Sequence, residues 1–153
     1  MSSDRYHILV ADFSHLKEAA FLFNQYRQFY RQDCDLNAAY QFLDERLRKK
    51  ESVIYLAIDI KTHKAIGFMQ LYPSFSSISL ERFWILNDLY VTLEARNQGI
   101  GKTLIQKAQL WVREQNDKGL SLQTAVDNLG AQKLYSSLGF DLDQQFLNYF
   151  WKS

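Results

Sequence analysis

This chain is short of cysteine, proline, net charge and long hydrophobic runs, and each shortage removes a class of protein. Its one cysteine, Cys34, cannot close an internal disulfide and has no companion for a Cys-rich metal site. The three histidines, His7, His15 and His63, lack H-E-x-x-H or similar spacing, so neither a metal nor a Ser-His triad is indicated. Eighteen basic residues against seventeen acidic ones leave a net charge of +1, which gives no general attraction to nucleic acid. No apolar run approaches the roughly 20 residues of a membrane-spanning helix. The opening MSSDRYHILV carries no signal-peptide pattern, so the cytoplasm is the expected location. Nothing marks a linker, an internal repeat or a second domain, and 153 residues suit one domain, residues 1–153. Hydrophobic residues at 47% and aromatics at 15% exclude a disordered chain.

What is present reads as alternating strands and helices. A short strand from Tyr6 to Ala11 is followed by Asp12 and Ser14, both suited to cap a helix. Leu16, Ala20, Phe23, Arg27 and Tyr30 mark one helical face, with Arg27 as its polar interruption; Leu36, Tyr40, Leu43 and Leu47 mark a second. Between them lies FYRQDCDLN, aromatic and charged. The run VIYLAIDI from Val53 to Ile60 is too short for a typical helix and rich in branched residues, hence a central strand. The next strand carries Gly67, Phe68, Gln70 and Tyr72 and is expected to end near Pro73, with a serine-rich loop to Ser79. Glu81 to Val91 follows as a strand. A helix with Ile100, Leu104, Ala108 and Trp111 on one face leads to a strand from Leu120 to Thr124. That strand should run parallel to its predecessor, since a crossover helix joins them. Asn128 caps the helix that Gly139 stops, and an aromatic strand with Phe146, Tyr149, Phe150 and Trp151 is expected to close the sheet.

The most informative stretch is LNDLYVTLEARNQGIGKT, Leu86 to Thr103, where an apolar strand meets a basic, glycine-containing turn and then a helix. A helix start leaves backbone N–H groups unpaired and carries partial positive charge, so an anion belongs there. Gly99 and Gly101 allow close approach of the backbone, and Arg96 and Lys102 add full charges. A Walker A loop is excluded, because Arg96 stands where its first glycine is required. A dinucleotide fingerprint fails as well, because Leu104 replaces its third glycine.

The remaining pattern, R-x-x-G-x-G after a strand, resembles the pyrophosphate loop of the GNAT N-acetyltransferase superfamily. Asn128, Ala131, Leu134, Tyr135, Gly139 and Phe140 spell N-x-x-A-x-x-L-Y-x-x-x-G-F, which resembles the second signature of that family. The resemblance implies a mixed α/β fold. Its sheet would be mostly antiparallel, with six to seven strands splayed at a central parallel pair and about four flanking helices. It also implies transfer of acetyl from acetyl-CoA, as co-substrate and without a metal, to a primary amine by direct attack in a ternary complex. Leu89, Tyr90 and Val91 would hold the pantetheine arm. Arg96, Asn97, Gln98, Gly99, Ile100, Gly101, Lys102 and Thr103 would form the pyrophosphate loop, and Asn128 and Tyr135 would also touch the cofactor.

Acyl transfer from a thioester needs alignment, a proton acceptor and stabilisation of developing charge, but no covalent intermediate. Tyr135 matches the family tyrosine that protonates the departing thiolate. For the base, some polyamine-acetylating members of the family carry Glu-Asp where this chain has Asn87-Asp88. Asp88 is the candidate, directly or through water, with Glu81 in reserve. Adjacent strand residues normally face opposite sides, which leaves open whether Asp88 replaces the missing Glu in space. The acceptor expected is a small-molecule amine such as a polyamine, amino acid or aminoglycoside; a protein lysine or N-terminal amine is the alternative substrate. A noncatalytic acyl-CoA-binding sensor is the alternative function. No nucleic acid or membrane partner is expected, and the aromatic C-terminal segment suggests a homodimer.

Overall fold

The computed structural model describes residues 5–153, and the chain divides into two compact units, one up to Leu122 and one from Gln123. In the first unit the strands β1 (Tyr6–Val10), β2 (Val53–Asp59), β3 (Ala65–Ser76), β4 (Glu81–Val91) and β5 (Leu120–Ser121) form one sheet in sequence order. The first four pair antiparallel, while β5 runs parallel to β4 through Trp84↔Leu120 and Ile85↔Ser121. The crossover that makes this pair parallel is the helix α3 (Ile100–Glu114), as a β-helix-β connection requires.

Two helices, α1 (Leu16–Phe29) and α2 (Leu36–Arg48), cover one face of the sheet. Alternation along the strands decides what they bury: Ile54, Leu56, Ile58 and Phe68 join Leu16, Ala20, Phe23, Ala39 and Leu43 in one core. Asp12 caps the turn before α1 by accepting from the Ser14 amide, and Asp35 caps α2 by accepting from Ala38. In α2 the buried line is Ala39 and Leu43, whereas Leu36 and Tyr40 are exposed at 47% and 38%. The opposite sheet face receives α3, whose Ile100, Leu104, Ile105, Ala108 and Val112 are buried. The helix packs tightly on β3 at Gly67. A Cβ at Gly67 would lie 3.0 Å from Ile100 Cγ2 and 3.1 Å from Ala57 Cβ.

Three boundaries depart from the sequence expectation. Strand β3 runs through Pro73 to Ser76, because its pairing with β2 stops at Leu71 and the proline sits where only β4 is a neighbour. Strand β5 is confined to Leu120–Ser121 rather than reaching Thr124. The aromatic segment from Phe146 to Trp151 forms no strand among the described residues, so the sheet has five strands rather than six or seven. Its large side chains at 146, 149, 150 and 151 do not alternate, and apolar content alone supplies no hydrogen-bonding partner.

The second unit contains α4 (Leu129–Ser137). Asn128 caps it by accepting from the Ala131 amide at 3.2 Å. Gly139, at φ +87°, ends it, and the Phe140 amide returns to the Tyr135 carbonyl at 3.0 Å.

Candidate functional site

The site begins with an irregularity in β4. Pairing passes from Gln70↔Asp88 directly to Leu71↔Leu86, so Asn87 is an extra residue in a bulge. Regular strand geometry would send Asn87 and Asp88 to opposite faces. The bulge removes that alternation, and the Asn87 amide donates to the Asp88 carboxylate at 3.2 Å. Both side chains thus stand together, and Asp88 lies with Gln70 on the face covered by α1.

Asp88 is only 4% exposed. Burial raises its pKa above the ordinary carboxylate value, since the charged form loses water, while hydrogen bonds from Gln70, Tyr26 and Asn87 work in the opposite direction. The shortest is from Gln70 Nε2, at 2.8 Å. Tyr26 comes from α1, and its hydroxyl also lies 3.4 Å from the Asn87 carbonyl. Burial and the nearby carboxylate raise the pKa values of Tyr26 and Tyr72, which keeps both phenols protonated. The result is a carboxylate with a raised proton affinity, oriented by neutral donors. Glu81 is exposed at the far end of β4, about 23 Å along the strand at about 3.3 Å per residue.

Among the described residues, no strand pairs with the edge of β4 that faces β5 from Leu86 to Val91, which leaves this edge accessible to an extended ligand, with the Val91 carbonyl already accepting from Arg96. Beyond this edge the chain makes a short 3₁₀ turn, Leu93–Ala95, and enters the turn before α3. Asn97 and Gly99 take left-handed conformations at φ +61° and +78°. Among the described residues no side chain caps the first turn of α3, which leaves the amides at Ile100, Gly101 and Lys102 available. Nothing lies within 4 Å of a Cβ built at Gly101, which marks open space beside those amides. Thr103 steadies the turn: its hydroxyl donates to the Gly99 carbonyl at 2.9 Å and shares a 2.8 Å hydrogen bond with the Tyr6 hydroxyl. Ile100 is buried in the core, and Gln98 bonds back to the Glu94 carbonyl at 3.3 Å, so both act here through backbone or packing. Lys102 is exposed.

Arg96 has a different setting from Lys102. Its Nε donates to the Val91 carbonyl at 3.0 Å, and its guanidinium lies 5.5 Å from the Phe29 ring and 5.7 Å from the Tyr90 ring. It therefore ties the end of α1 to the open strand edge as well as placing charge near the turn.

The strand edge, the anion turn and the buried carboxylate thus lie in one unit, contributed by β4 and the start of α3. Asn128 and Tyr135 lie in the other. There Tyr135 stands on α4 with its ring 6.0 Å from that of Phe140. Among the described residues no group of three His, Cys, Asp or Glu side chains could hold a metal ion.

The profile of the acetyltransferase (GNAT) family matches residues 13–140. The chain belongs to that family. An uncharacterized N-acetyltransferase of Bacillus subtilis, YhfO, is 46% identical over 128 residues, covering 84% of this chain and 85% of the relative. The crystal structure of a probable acetyltransferase is 47% identical with a TM-score of 0.90, covering 96% of this chain and 97% of the other. An aminoglycoside N-acetyltransferase solved in complex with CoA shares the fold at 21% identity, with a TM-score of 0.77 and coverage of 97% and 95%. This GNAT chain is accordingly an N-acetyltransferase.

The sequence expectation named Asp88 but not Gln70 and Tyr26, the donors to its carboxylate. Gln70 had a signal, a polar residue inside the apolar run GFMQL. Tyr26 had none beyond its place on the helical face next to Phe23.

Proposed function

We propose that this chain, as one GNAT domain, acetylates the primary amine of a small molecule with acetyl-CoA, by direct attack in a ternary complex. The observation that carries this reading is Asp88: a buried carboxylate held by three neutral donors at the bulge immediately before the open strand edge. An amine attacks only as its free base, and a carboxylate with raised proton affinity suits the removal of that proton, directly or through water.

The other roles rest on the family resemblance, and the accessible strand edge and uncapped turn of the first unit support those of its residues. The segment Leu89, Tyr90 and Val91 holds the pantetheine arm along the accessible edge of β4. The turn from Asn97 to Thr103, with Arg96 and Lys102 beside it, receives the pyrophosphate; the uncapped amides and the open space at Gly101 fit that group. With the donor so fixed, Asp88 accepts the proton of the incoming nitrogen, which bonds to the acetyl carbon. The carbon–sulfur bond then breaks, and the Tyr135 phenol protonates the thiolate. The Tyr135 proton is restored from solvent.

Thiol release from acetyl-CoA over a panel of small primary amines and lysine-containing peptides tests this reading. Turnover with small amines that falls by about 10²-fold or more in Asp88→Asn supports it. Turnover on peptides alone, or an Asp88→Asn enzyme as fast as wild type, would overturn it.

A further inference from the structure

A cleft of about 240 Å³ opens between α1 and α2, lined by Phe23, Arg27, Ala38, Ala39 and Phe42. Its walls are apolar except for Arg27, the residue that breaks the hydrophobic line of α1. Arg27 is partly buried and, among the described residues, makes no ion pair. Its one hydrogen bond runs from Nη1 to the Asp33 carbonyl at 3.3 Å, which leaves most of the five guanidinium donors unused. A half-buried cation beside apolar walls is costly unless an anion completes it.

The cleft is linked to the Asp88 carboxylate through two stacked rings, Phe23 and Tyr26. Arg27 and Tyr26 stand four and three residues after Phe23, so both share its side of the helix. Phe23 lines the cleft and stacks on Phe42 at 5.6 Å and on Tyr26 at 6.4 Å, and Tyr26 hydrogen-bonds Asp88. One turn of α1 therefore presents two poles, a proton acceptor on the Tyr26 side and a free guanidinium on the Arg27 side, with an aromatic surface between.

We infer that the acceptor is an amine that also carries a carboxylate, an amino acid, with its nitrogen at Asp88, its carboxylate on the Arg27 fork and its side chain in the apolar cleft. The inference rests on the small-amine acetyltransferase reading and deepens it. An Arg fork matches a carboxylate through two parallel N–H···O bonds, and a polycationic acceptor would meet repulsion from Arg27 instead.

The test pairs each amino acid with its decarboxylated counterpart: phenylalanine with phenethylamine, lysine with cadaverine, alanine with ethylamine. Thiol release and calorimetric binding to the CoA-loaded enzyme are both measured. The carboxylated partner is expected to have the lower KM or Kd in at least one pair. Arg27→Gln should erase that advantage by about tenfold to a hundredfold, the loss expected of charge-assisted hydrogen bonds. Arg27→Lys should recover part of it, and acetyl-CoA affinity should stay at the wild-type value in both variants. Glutamine can still donate to the Asp33 carbonyl, so the loop keeps its anchor. Decarboxylated amines used as well or better in every pair would overturn the inference while leaving a small-amine acetyltransferase standing. Preferential binding of amino acids without thiol release would sustain the cleft and sink the proposed turnover. Failure of every amino acid to bind, or an unchanged preference in Arg27→Gln, also overturns it.

Discussion

The Asn87 side-chain amide donates to the carboxylate of its own sequence neighbour, Asp88, at 3.2 Å. That contact exists because the bulge sets both side chains on one side of β4, and it places a neutral donor where some polyamine-acetylating members of the family have a second carboxylate. A glutamate there would set two negative charges side by side, whereas asparagine leaves Asp88 as the one acidic group of the pair. Asp88→Asn should lower single-turnover acetyl transfer by about 10²- to 10⁴-fold with little change in acetyl-CoA affinity. Because Asp88 must be ionised to accept a proton, the wild-type rate should rise with pH through its raised pKa, and this limb should vanish in the variant. A pH profile with the same acidic limb in both proteins would assign that limb to another group.

The same group makes a prediction for stability. Burial raises the folded-state pKa of Asp88 above its ordinary value near 3.8. The folded state therefore binds the proton more tightly than the unfolded chain, so the contribution is fully present below the unfolded value and lost as pH rises through the folded one. Asp88→Asn has no such titration. The melting-temperature difference, wild type minus Asp88→Asn, should become less positive or more negative as pH climbs from 3 towards 7. A difference that grows in favour of wild type would mean that the hydrogen bonds outweigh burial and that the pKa is lowered.

How far the sequence reveals this arrangement depends on the range of the interaction. The strand, turn and helix from Glu81 to Glu114 are legible because their signals are local: an apolar run, a glycine in a left-handed turn, then a 3.6-residue period. The capping of α4 by Asn128 is legible for the same reason. The donors to Asp88 are not, since Gln70 is 18 residues away and Tyr26 reaches the neighbouring Asn87 across 61. The bulge is also hidden, as it arises from the mismatch of two strands and has no residue signature of its own here. The aromatic segment after Leu142 misleads in the opposite sense: its composition favours a strand, but its large side chains do not alternate, and composition alone pairs no backbone group.

Gly67 lets the start of α3 sit close to the sheet. Gly67→Ala would place a methyl group 3.0 Å from Ile100 Cγ2 and 3.1 Å from Ala57 Cβ. Overpacking of this kind costs about 1–3 kcal/mol, which for a chain of this size lowers Tm by roughly 2–12 °C. Acetyl-CoA binding should weaken in step if the first amides of α3, which begins at Ile100, receive the pyrophosphate as proposed. Thermal melts at or above the wild-type Tm would show that α3 can shift without cost.

Gly101 offers the complementary case, since a Cβ there meets no atom within 4 Å beyond its chain neighbours and its own helix backbone. Gly101→Val should keep close to the wild-type Tm yet weaken acetyl-CoA by about tenfold or more, as expected when charge-assisted hydrogen bonds are blocked. Unchanged calorimetric affinity in the folded variant would remove the Gly101 amide from the pyrophosphate site.

Tyr135 allows its chemistry to be separated from its packing, because the phenol oxygen can be removed alone. In Tyr135→Phe the ring keeps its contact with Phe140, 6.0 Å away, so α4 should remain intact. A phenol with an ordinary pKa of about 10 is protonated at neutral pH and can donate to a departing thiolate. If it does, single-turnover acetyl transfer in the variant should fall by about 10²-fold or more at neutral pH, with acetyl-CoA affinity little changed. A comparable thiol has a pKa of about 8.5, so its thiolate leaves more readily without a proton as pH approaches that value. The defect should therefore shrink between pH 7 and 9. Single-turnover rates are the proper observable, since slow product release can conceal a chemical defect in kcat. A Tyr135→Phe enzyme with the full wild-type single-turnover rate at neutral pH would assign thiolate protonation to water or to another donor.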